Sequence, residues 1–374
     1  MNVLMLLSNP FTHDPRVYEE ATTLIRAGHK VSVLAWDRNK KYPAIESKDG
    51  INVYRVYNTK FMNLLPFDIF RLHFWWRLGY NKAVKLHKKR EFDVVHCHNL
   101  DTLPIGVKLK KKFGISLVYD AHEIWGYMVA KDLPKFWANY YLKTEKRLIK
   151  NIDGFIIAED KYADYFGSFT DKKMVSILNC KHLFSNRYIE PEKKTLFSLI
   201  YIGTLTSARF LAELIDVIQG LDGVKLTIGG IGKKKFVNFL LEKCKNTKNV
   251  EFIGKVSPNK VIDMTLKSDA VVCMINPNVF NNQIATANKQ FEAMVAGRPI
   301  ICTKGTRSGE ITKQERCGLV IDYTKEALHQ AIARLRDAPD LCEELGKNAL
   351  KAAITKYNWK IEEKKLKNLY NSLK

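Results

Sequence analysis

The chain has 374 residues with 46% hydrophobic content, so two domains with ordinary globular cores are expected, at roughly 150 residues per domain. No apolar run approaches the roughly 18 residues of a membrane span, which excludes a membrane-crossing helix. The net charge of +22 leaves nucleic acid, an anionic membrane surface and anionic substrates all open, because charge alone chooses none of them.

The first residues, "MNVLMLLSNPFTHDPRV", are apolar for only a few positions before Asn-Pro. Without a basic leader, a long apolar core or a small-residue cleavage site, they predict a first strand and not a signal peptide. Asp14 and Pro15 form a cap and first helical position. Val17, Ala21, Leu24 and Ile25 then fall at helical spacing, with Gly28 in the stop position. "KVSVLAW", "NVYRVY", "DVVHCH", "SLVYDA" and "GFIIAE" predict further strands. Near-continuous apolar strands alternating with amphipathic helices predict a parallel sheet covered on both faces.

Residues 180–197 are polar and irregular and read as a linker. A second alternation follows, with strands at "FSLIYIG", "VKLTIGG", "VEFIG", "DAVVCMI", "PIICT" and "GLVIDY" and helices at about 209–220, 233–246, 258–267 and 288–297. The tail from about 356 predicts a last amphipathic helix with Trp359 and Leu366 on one face. The pattern is that of two Rossmann-like halves, in which ligands bind at the carboxyl ends of the strands. Seven cysteines, at 97, 180, 244, 273, 302, 317 and 342, lack any C-x-x-C spacing. They predict buried thiols in a reducing compartment, not a zinc cluster or a disulfide framework.

Several residues stand out as candidates for chemistry. His98 and His122 each close a predicted strand at the ligand edge, with Asp120 and Glu123 alongside. Alternation puts His96 and His98 on one face and Cys97 on the other. His13 and Arg16 lie at the end of the first strand. Gly203 permits a tight turn after the first strand of the second half, and Arg209 at a helix start can clamp a phosphate. Gly229, Gly230 and Gly232 do not complete a dinucleotide fingerprint, and no G-x-x-x-x-G-K-[ST] phosphate loop is present. Glu292 sits in an otherwise apolar helix beginning "NKQF". Either helix electrostatics in the first turn or a ligand at the helix start accounts for it.

Taken in order, "DPRVYEEATTLIRAGHKVSVL", "FDVVHCHNLDTLP", "VYDAHE", "YIGTLTSAR", "VEFIGKVS", "NKQFEAMVAGRPII", "GEI" with "CGLVIDY", and "YNW" make a chain that resembles the family-4 glycosyltransferases. These are retaining enzymes of the GT-B architecture, and the resemblance runs from residue 1 to about 370. It implies an α/β fold of two Rossmann-like domains facing an interdomain cleft. Residues 1–185 would form the acceptor-side domain and 196–355 the nucleotide-sugar domain, with a C-terminal helix at 356–374 returning to the N-terminal domain.

The resemblance also implies roles. Thr286, Ala287 and Asn288 would offer backbone N–H groups to the donor diphosphate, and Glu292 matches a glutamate that grips the ribose. Gly254 to Val256 match the segment against the base, and Gly203 with Thr204 the turn beside the phosphates. His122 matches a histidine lining the donor-sugar pocket near the anomeric centre, with Arg16 and His98 on the acceptor side. The sequence departs from the pattern at two places. Ile284 replaces a second glutamate that contacts the donor sugar, and Thr204 replaces an arginine. Arg209 then takes the place of the second of two cations, and departure of the leaving group should be slower unless Lys289 or another base substitutes.

The implied reaction moves a sugar from a nucleotide sugar to an acceptor hydroxyl with retention, using no cofactor and no metal, because helix dipoles and Arg or Lys stabilise the diphosphate. Expected partners are the nucleotide sugar, a glycan or lipid-linked acceptor and an anionic membrane surface, with no nucleic acid. The expected location is cytoplasmic, peripheral on the inner face of the cell membrane. A nucleotide-sugar epimerase or a non-catalytic binder of the same fold is the alternative, although the missing acid at 284 does not help an epimerase. Residues 61–92 carry Phe61, Leu64, Leu65, Phe67, Ile69, Phe70, Phe74, Trp75 and Trp76, then Lys82, Lys85, Lys88, Lys89 and Arg90. They read equally as an interfacial segment or as core aromatics beside solvated lysines.

Overall fold

The β-branched and apolar runs form strands because they fit a pleated surface buried on both faces. The computed structural model describes residues 1–12, 14–129, 134–192 and 194–373; His13 lies outside these. The first sheet contains β1 (Asn2–Leu7), β2 (Lys30–Asp37), β3 (Ile45–Lys48), β4 (Ile51–Tyr57), β5 (Val94–His98), β6 (Ser116–Ala121), β7 (Gly154–Ile157) and β8 (Met174–Ser176). Their order is β3-β4-β2-β1-β5-β6-β7-β8, parallel except for the antiparallel β3–β4 pair. The second sheet, β9 (Phe197–Leu205), β10 (Val224–Gly232), β11 (Val250–Gly254), β12 (Ala270–Cys273), β13 (Ile300–Thr303) and β14 (Gly318–Ile321), runs β11-β10-β9-β12-β13-β14.

The chain separates into two compact units, residues 1–178 with 363–374, and residues 179–362. In each sheet the order reverses direction once. The chain winds outward from β1 through β2 and then returns to β5 on the other side, and it does the same from β9 through β10 before β12. Such a reversal opens a crevice at the carboxyl ends of the two strands flanking it, where α/β proteins bind ligands. In the first unit those ends are Leu7 and His98, and in the second Leu205 and Cys273.

Helix starts follow capping chemistry. Asp14 accepts from the Val17 N–H at 3.2 Å with Pro15 in the first position, and Thr306 and Thr324 cap the helices Arg307–Glu315 and Lys325–Asp337 in the same way. All seven cysteines are free and buried. Among the described residues no helix is long and apolar enough to cross a membrane.

The segment 61–92 divides by helical face. In the helix Asp68–Arg90, Leu72, Trp75, Gly79, Ala83 and Leu86 are buried. Trp75 stacks on Trp36 with centroids 5.4 Å apart. A Cβ on Gly79 would come within 2.8 Å of Ile105, so glycine lets this helix approach the helix Leu103–Phe113. Trp76 is half-buried and donates to the Asp101 carbonyl at 2.8 Å. Neither tryptophan is therefore available as an interfacial anchor, whereas Phe61, Leu64, Phe67, Phe70 and Phe74 are exposed. Replacing Trp75 by Ala leaves a cavity against Trp36 and should cost about 3–5 kcal/mol. The urea midpoint should fall accordingly, and an unchanged midpoint would show that the stack does not support the core.

Candidate functional site

In the first unit the site grows from strand register. His98 of β5 lies directly beside Asp120 of β6, and His122 follows one residue beyond the end of β6. Asp120 has no exposed surface and gathers three partners. Arg16, two residues into the first helix, donates from Nε at 2.9 Å and from a terminal nitrogen at 2.7 Å. His122 Nε2 contacts Oδ2 at 2.7 Å, and His98 Nδ1 contacts the same oxygen at 3.1 Å. Arg16 also donates to the Ile177 carbonyl at 2.7 Å.

A second layer lies beneath. Glu20, one turn after Arg16, is 3.2 Å from its Nε. His96 stacks on His98 at 4.4 Å, and its Nδ1 shares a hydrogen bond with the Tyr370 hydroxyl at 2.9 Å. Tyr370 belongs to the last helix, so the tail of the chain completes this layer. Alternation along β5 brought His96 and His98 to one face, as the spacing predicts.

The charges sort themselves by burial and proximity. Burial works to raise the Asp120 carboxyl, but Arg16, His122 and His98 outweigh it and hold Asp120 well below the usual carboxylate range. Burial and the Asp120 charge push Glu20 well above that range, against the pull of Arg16. Burial, then the neighbouring imidazoles, lowers His96, and burial lowers His98. The cluster therefore centres on one ion pair, Arg16 with Asp120, beside Glu20, His96 and His98, whose shifts all favour the neutral form.

This arrangement fixes His122. Its Nε2 edge is committed to the Asp120 carboxylate at 2.7 Å, which sets the direction of the ring. The backbone N–H of His122 donates to Asn99 Oδ1 at 3.0 Å, and Tyr162 donates to its carbonyl at 3.3 Å. The His122 side chain keeps 17% exposure while Asp120 has none, so the imidazole is the part of the cluster that meets solvent. Arg16 and His98, expected on the acceptor side, are buried at 8% and 1% exposure. Both hold Asp120, so direct acceptor contact gives way to a supporting position behind His122.

Glu20, His96, His98 and Asp120 also offer ligand atoms that all lie within 4.8 Å of one another. A cation could use that spacing, but the Arg16 guanidinium already binds Asp120 and faces Glu20. A metal ion would have to displace or oppose that buried charge.

In the second unit β9 runs beside β10 with Gly203 paired to Gly230. A Cβ on Gly230 would fall 1.7 Å from the Gly203 carbonyl oxygen, so the two strand ends approach closer than any other residue permits. Thr204 is exposed, and its carbonyl accepts from the Tyr201 hydroxyl at 2.6 Å. Arg209 ends a short 3-10 turn ahead of the helix Leu211–Gln219. Gly254 closes β11 with φ +69°, and a Cβ on Gly229 would meet Val256 at 2.8 Å. Val256 therefore packs over the glycine-rich end of β10.

The helix Asn288–Ala296 begins after Ala287 without a side-chain cap. Glu292 is its fifth residue and its first turn carries no acid, so the expectation of a first-turn acid is corrected. The favourable N-terminal field fades within that first turn, which removes the electrostatic explanation for Glu292. Its side chain keeps 16% exposure, with Lys181 at 3.9 Å. Of the three amides expected to face phosphate, that of Ala287 donates to Ser308 Oγ at 3.1 Å. Lys289 is buried one turn before Glu292.

Comparison with known proteins gives matches across nearly the whole chain. Residues 16–180 match the family described as Glycosyltransferase Family 4, and residues 185–352 match Glycosyl transferases group 1. An uncharacterized glycosyltransferase of Methanocaldococcus jannaschii is 24% identical, covering 94% of this chain and 91% of its own. Alpha-monoglucosyldiacylglycerol synthase of Streptococcus pneumoniae is 22% identical over 75% of this chain and 65% of its own. Among solved structures, sucrose-phosphate synthase of Thermosynechococcus elongatus superposes with a TM-score of 0.78 at 16% identity, covering 100% and 99% of the two chains. HepE of Anabaena, solved with UDP, gives 0.76 at 14% identity over 100% of both.

The Asp120 cluster sets the stability of the first unit. Asp120→Asn strands the buried Arg16 charge and should cost about 3–5 kcal/mol. Because the folded Asp120 titrates below its unfolded value of about 3.9, its contribution is complete above that pH and is lost as pH falls through the lower folded value. Urea midpoints from pH 7 to pH 3 should show an acid-sensitive limb in the wild type that is flatter in Asp120→Asn. Parallel limbs would contradict the assignment.

Proposed function

Because the chain belongs to the family-4 glycosyltransferases and has the GT-B fold, we propose that it moves a sugar from a nucleotide sugar to an acceptor hydroxyl with retention of configuration. The observation that carries this reading is the strand-end set of the second unit. Glu292 lies beyond the first helical turn, and Arg209 follows Ala208, whose carbonyl accepts from the Asn276 N–H at 3.2 Å just past the end of β12. A carboxylate accepting from a ribose diol and a guanidinium on a diphosphate account for these two charges. The HepE structures with UDP and UDP-glucose support a nucleotide sugar as the donor class.

In the proposed step the bond from the anomeric carbon to the donor phosphate oxygen breaks, and the acceptor oxygen bonds to that carbon on the same face. The acceptor proton passes to the departing diphosphate. Asp120, the acid at His122, is held by Arg16 and two imidazoles, so it is a poor glycosyl nucleophile. This supports attack assisted by the leaving group without a covalent intermediate. His122, with a fixed ring, lines the transferred sugar. Positioning and electrostatic stabilisation of the diphosphate supply most of the acceleration, with no metal required.

Thermal shifts with UDP-, GDP-, ADP- and dTDP-sugars should identify one stabilising donor, and the absence of any shift would contradict the reading. Glu292→Gln should lose one charge-assisted bond, about 1.5–3 kcal/mol of donor affinity, whereas unchanged affinity removes Glu292 from the site. Arg209→Ala should lower affinity and turnover together. His122→Ala should spare nucleotide affinity and depress transfer.

The acceptor is proposed to be lipid-linked, at an anionic membrane surface. Phe61, Leu64, Phe67 and Phe136 are 55%, 81%, 59% and 63% exposed. Ring contacts at 5.3–6.1 Å, from Phe61 to Phe74, Phe67 to Phe70 and Phe70 to Trp137, join the patch across three helices, Lys60–Leu64, Asp68–Arg90 and Lys135–Ile149. Exposed Lys60, Arg77, Lys135 and Lys143 lie on the same segments. Apolar rings beside bases suit an anionic bilayer surface, and the lipid named for the streptococcal relative is consistent with such an acceptor. Sedimentation with anionic vesicles should fall as salt rises and drop further in a Phe61→Ser, Leu64→Ser, Phe67→Ser variant. Equal sedimentation with neutral vesicles would favour a soluble acceptor.

A further inference from the structure

Lys289 is the second residue of the helix Asn288–Ala296 and keeps only 9% of its surface. A lysine buried to that degree is ordinarily paired, because removing an ammonium from water without a counter-charge is costly. Among the described residues Lys289 has no carboxylate within ion-pair distance and no hydrogen-bond acceptor. Its Nζ stands 4.0 Å from the centroid of the Tyr201 ring, and the face of an aromatic ring offsets only part of the lost hydration.

Arg298 shows what a structural cation looks like in the same unit. It is fully buried, and its guanidinium donates to the carbonyls of Ile189, Gly297 and Leu266 at 2.8, 3.1 and 2.5 Å. Lys289 has no such set of acceptors.

Its ammonium is also aimed. Nζ lies 2.5 Å from where a Cβ on Gly203 would stand, so a side chain at 203 would expel it. The end of β9 is thus shaped to admit the ammonium at the point where the strand order reverses. Tyr201 beneath it is fixed by its hydroxyl on the Thr204 carbonyl. Arg209 stands at the same sheet edge: the carbonyl of Ala208 before it accepts from the Asn276 N–H at 3.2 Å, three residues past the end of the adjoining β12. Two cations and an uncapped helix start therefore converge on one strand-end region, and Arg209 too has no carboxylate partner among the described residues.

We propose that Lys289 is a catalytic residue that holds, together with Arg209, the diphosphate of the nucleotide donor. The inference rests on the glycosyl-transfer reading and goes beyond it by assigning the second cation. Thr204 supplies no charge where the sequence pattern expects an arginine, and the ammonium reaches the same turn from the following helix instead. A cation already positioned at the strand end before the donor binds needs little reorganisation as negative charge builds on the leaving diphosphate.

The assignment separates function from stability, since Lys289 makes no ion pair or hydrogen bond that an apolar side chain of similar length would lose. Lys289→Met should unfold at the wild-type temperature or higher. It should also lose about tenfold or more of its affinity for UDP or GDP, whichever the wild type binds, with a much smaller loss for the matching monophosphate. Inorganic pyrophosphate should compete with the diphosphate in the wild type and only weakly in the variant. If Lys289→Met binds the diphosphate as the wild type does while Glu292→Gln does not, the donor reading stands and the role of Lys289 is overturned. A lower unfolding temperature with equal losses for diphosphate and monophosphate would make Lys289 a structural cation and overturn it also. Failure of UDP, GDP, ADP and dTDP alike to bind the wild type would remove the donor reading and this inference with it.

Discussion

The ion pair between Arg16 and Asp120 constrains the first unit more than any other contact. Two opposite charges without access to water are tolerated only when their remaining donors and acceptors are satisfied, and most of the surrounding architecture does that. The register of β5 and β6 brings His98 beside Asp120, and the turn after β6 returns His122 to the same oxygen. The next turn of the first helix supplies Glu20, which burial, and then the Asp120 charge, pushes well above the usual carboxylate range. Tyr370 of the last helix then meets His96 beneath. His122 is consequently held in one orientation by a scaffold of paired and buried groups.

The second unit follows the opposite logic. Its strand-end cations have no carboxylate partners among the described residues, and its helix start is uncapped by any side chain. A protein that saturates Asp120 so thoroughly can evidently build complete ion pairs, so the unpaired charges at Arg209 and Lys289 fit a ligand that brings its own anions. Saturated charge positions a group, whereas unsaturated charge awaits one. Gly203 and Gly230 sit side by side for a simpler reason, since only bare backbone lets the ends of β9 and β10 approach so closely.

Much of this was legible in the sequence where local chemistry decides. The Asp14–Pro15 start, the parallel strands and the histidines closing β5 and β6 follow from capping, apolar runs and alternation. Other features depend on partners distant in sequence. Arg16 and Asp120 are 104 residues apart, and nothing in "DPRVYEE" announces that its arginine will be buried. Trp75 and Phe74 are neighbours in sequence, yet one is core and the other exposed, because helical phase, not composition, assigns faces. The short strands β3 and β8 carry little apolar signal and form only by adding to a sheet edge. The helix start at Asn288 is legible, but Glu292 is its fifth residue and so falls just past a first turn of about 3.6 residues. Lys289 could be named only as a candidate substitute, since its role depends on the missing side chain at Gly203.

The central claim is that two strand-end sets, one fixing His122 and one holding a nucleotide diphosphate, support retaining transfer without a protein nucleophile. Proton NMR of the first sugar released or transferred from the donor that binds reads this most directly. The account predicts that the earliest product carries the anomeric configuration of the donor and that no glycosylated protein accumulates in the absence of acceptor. An inverted first product, or a glycosyl–enzyme species detected by intact-mass spectrometry, would contradict it.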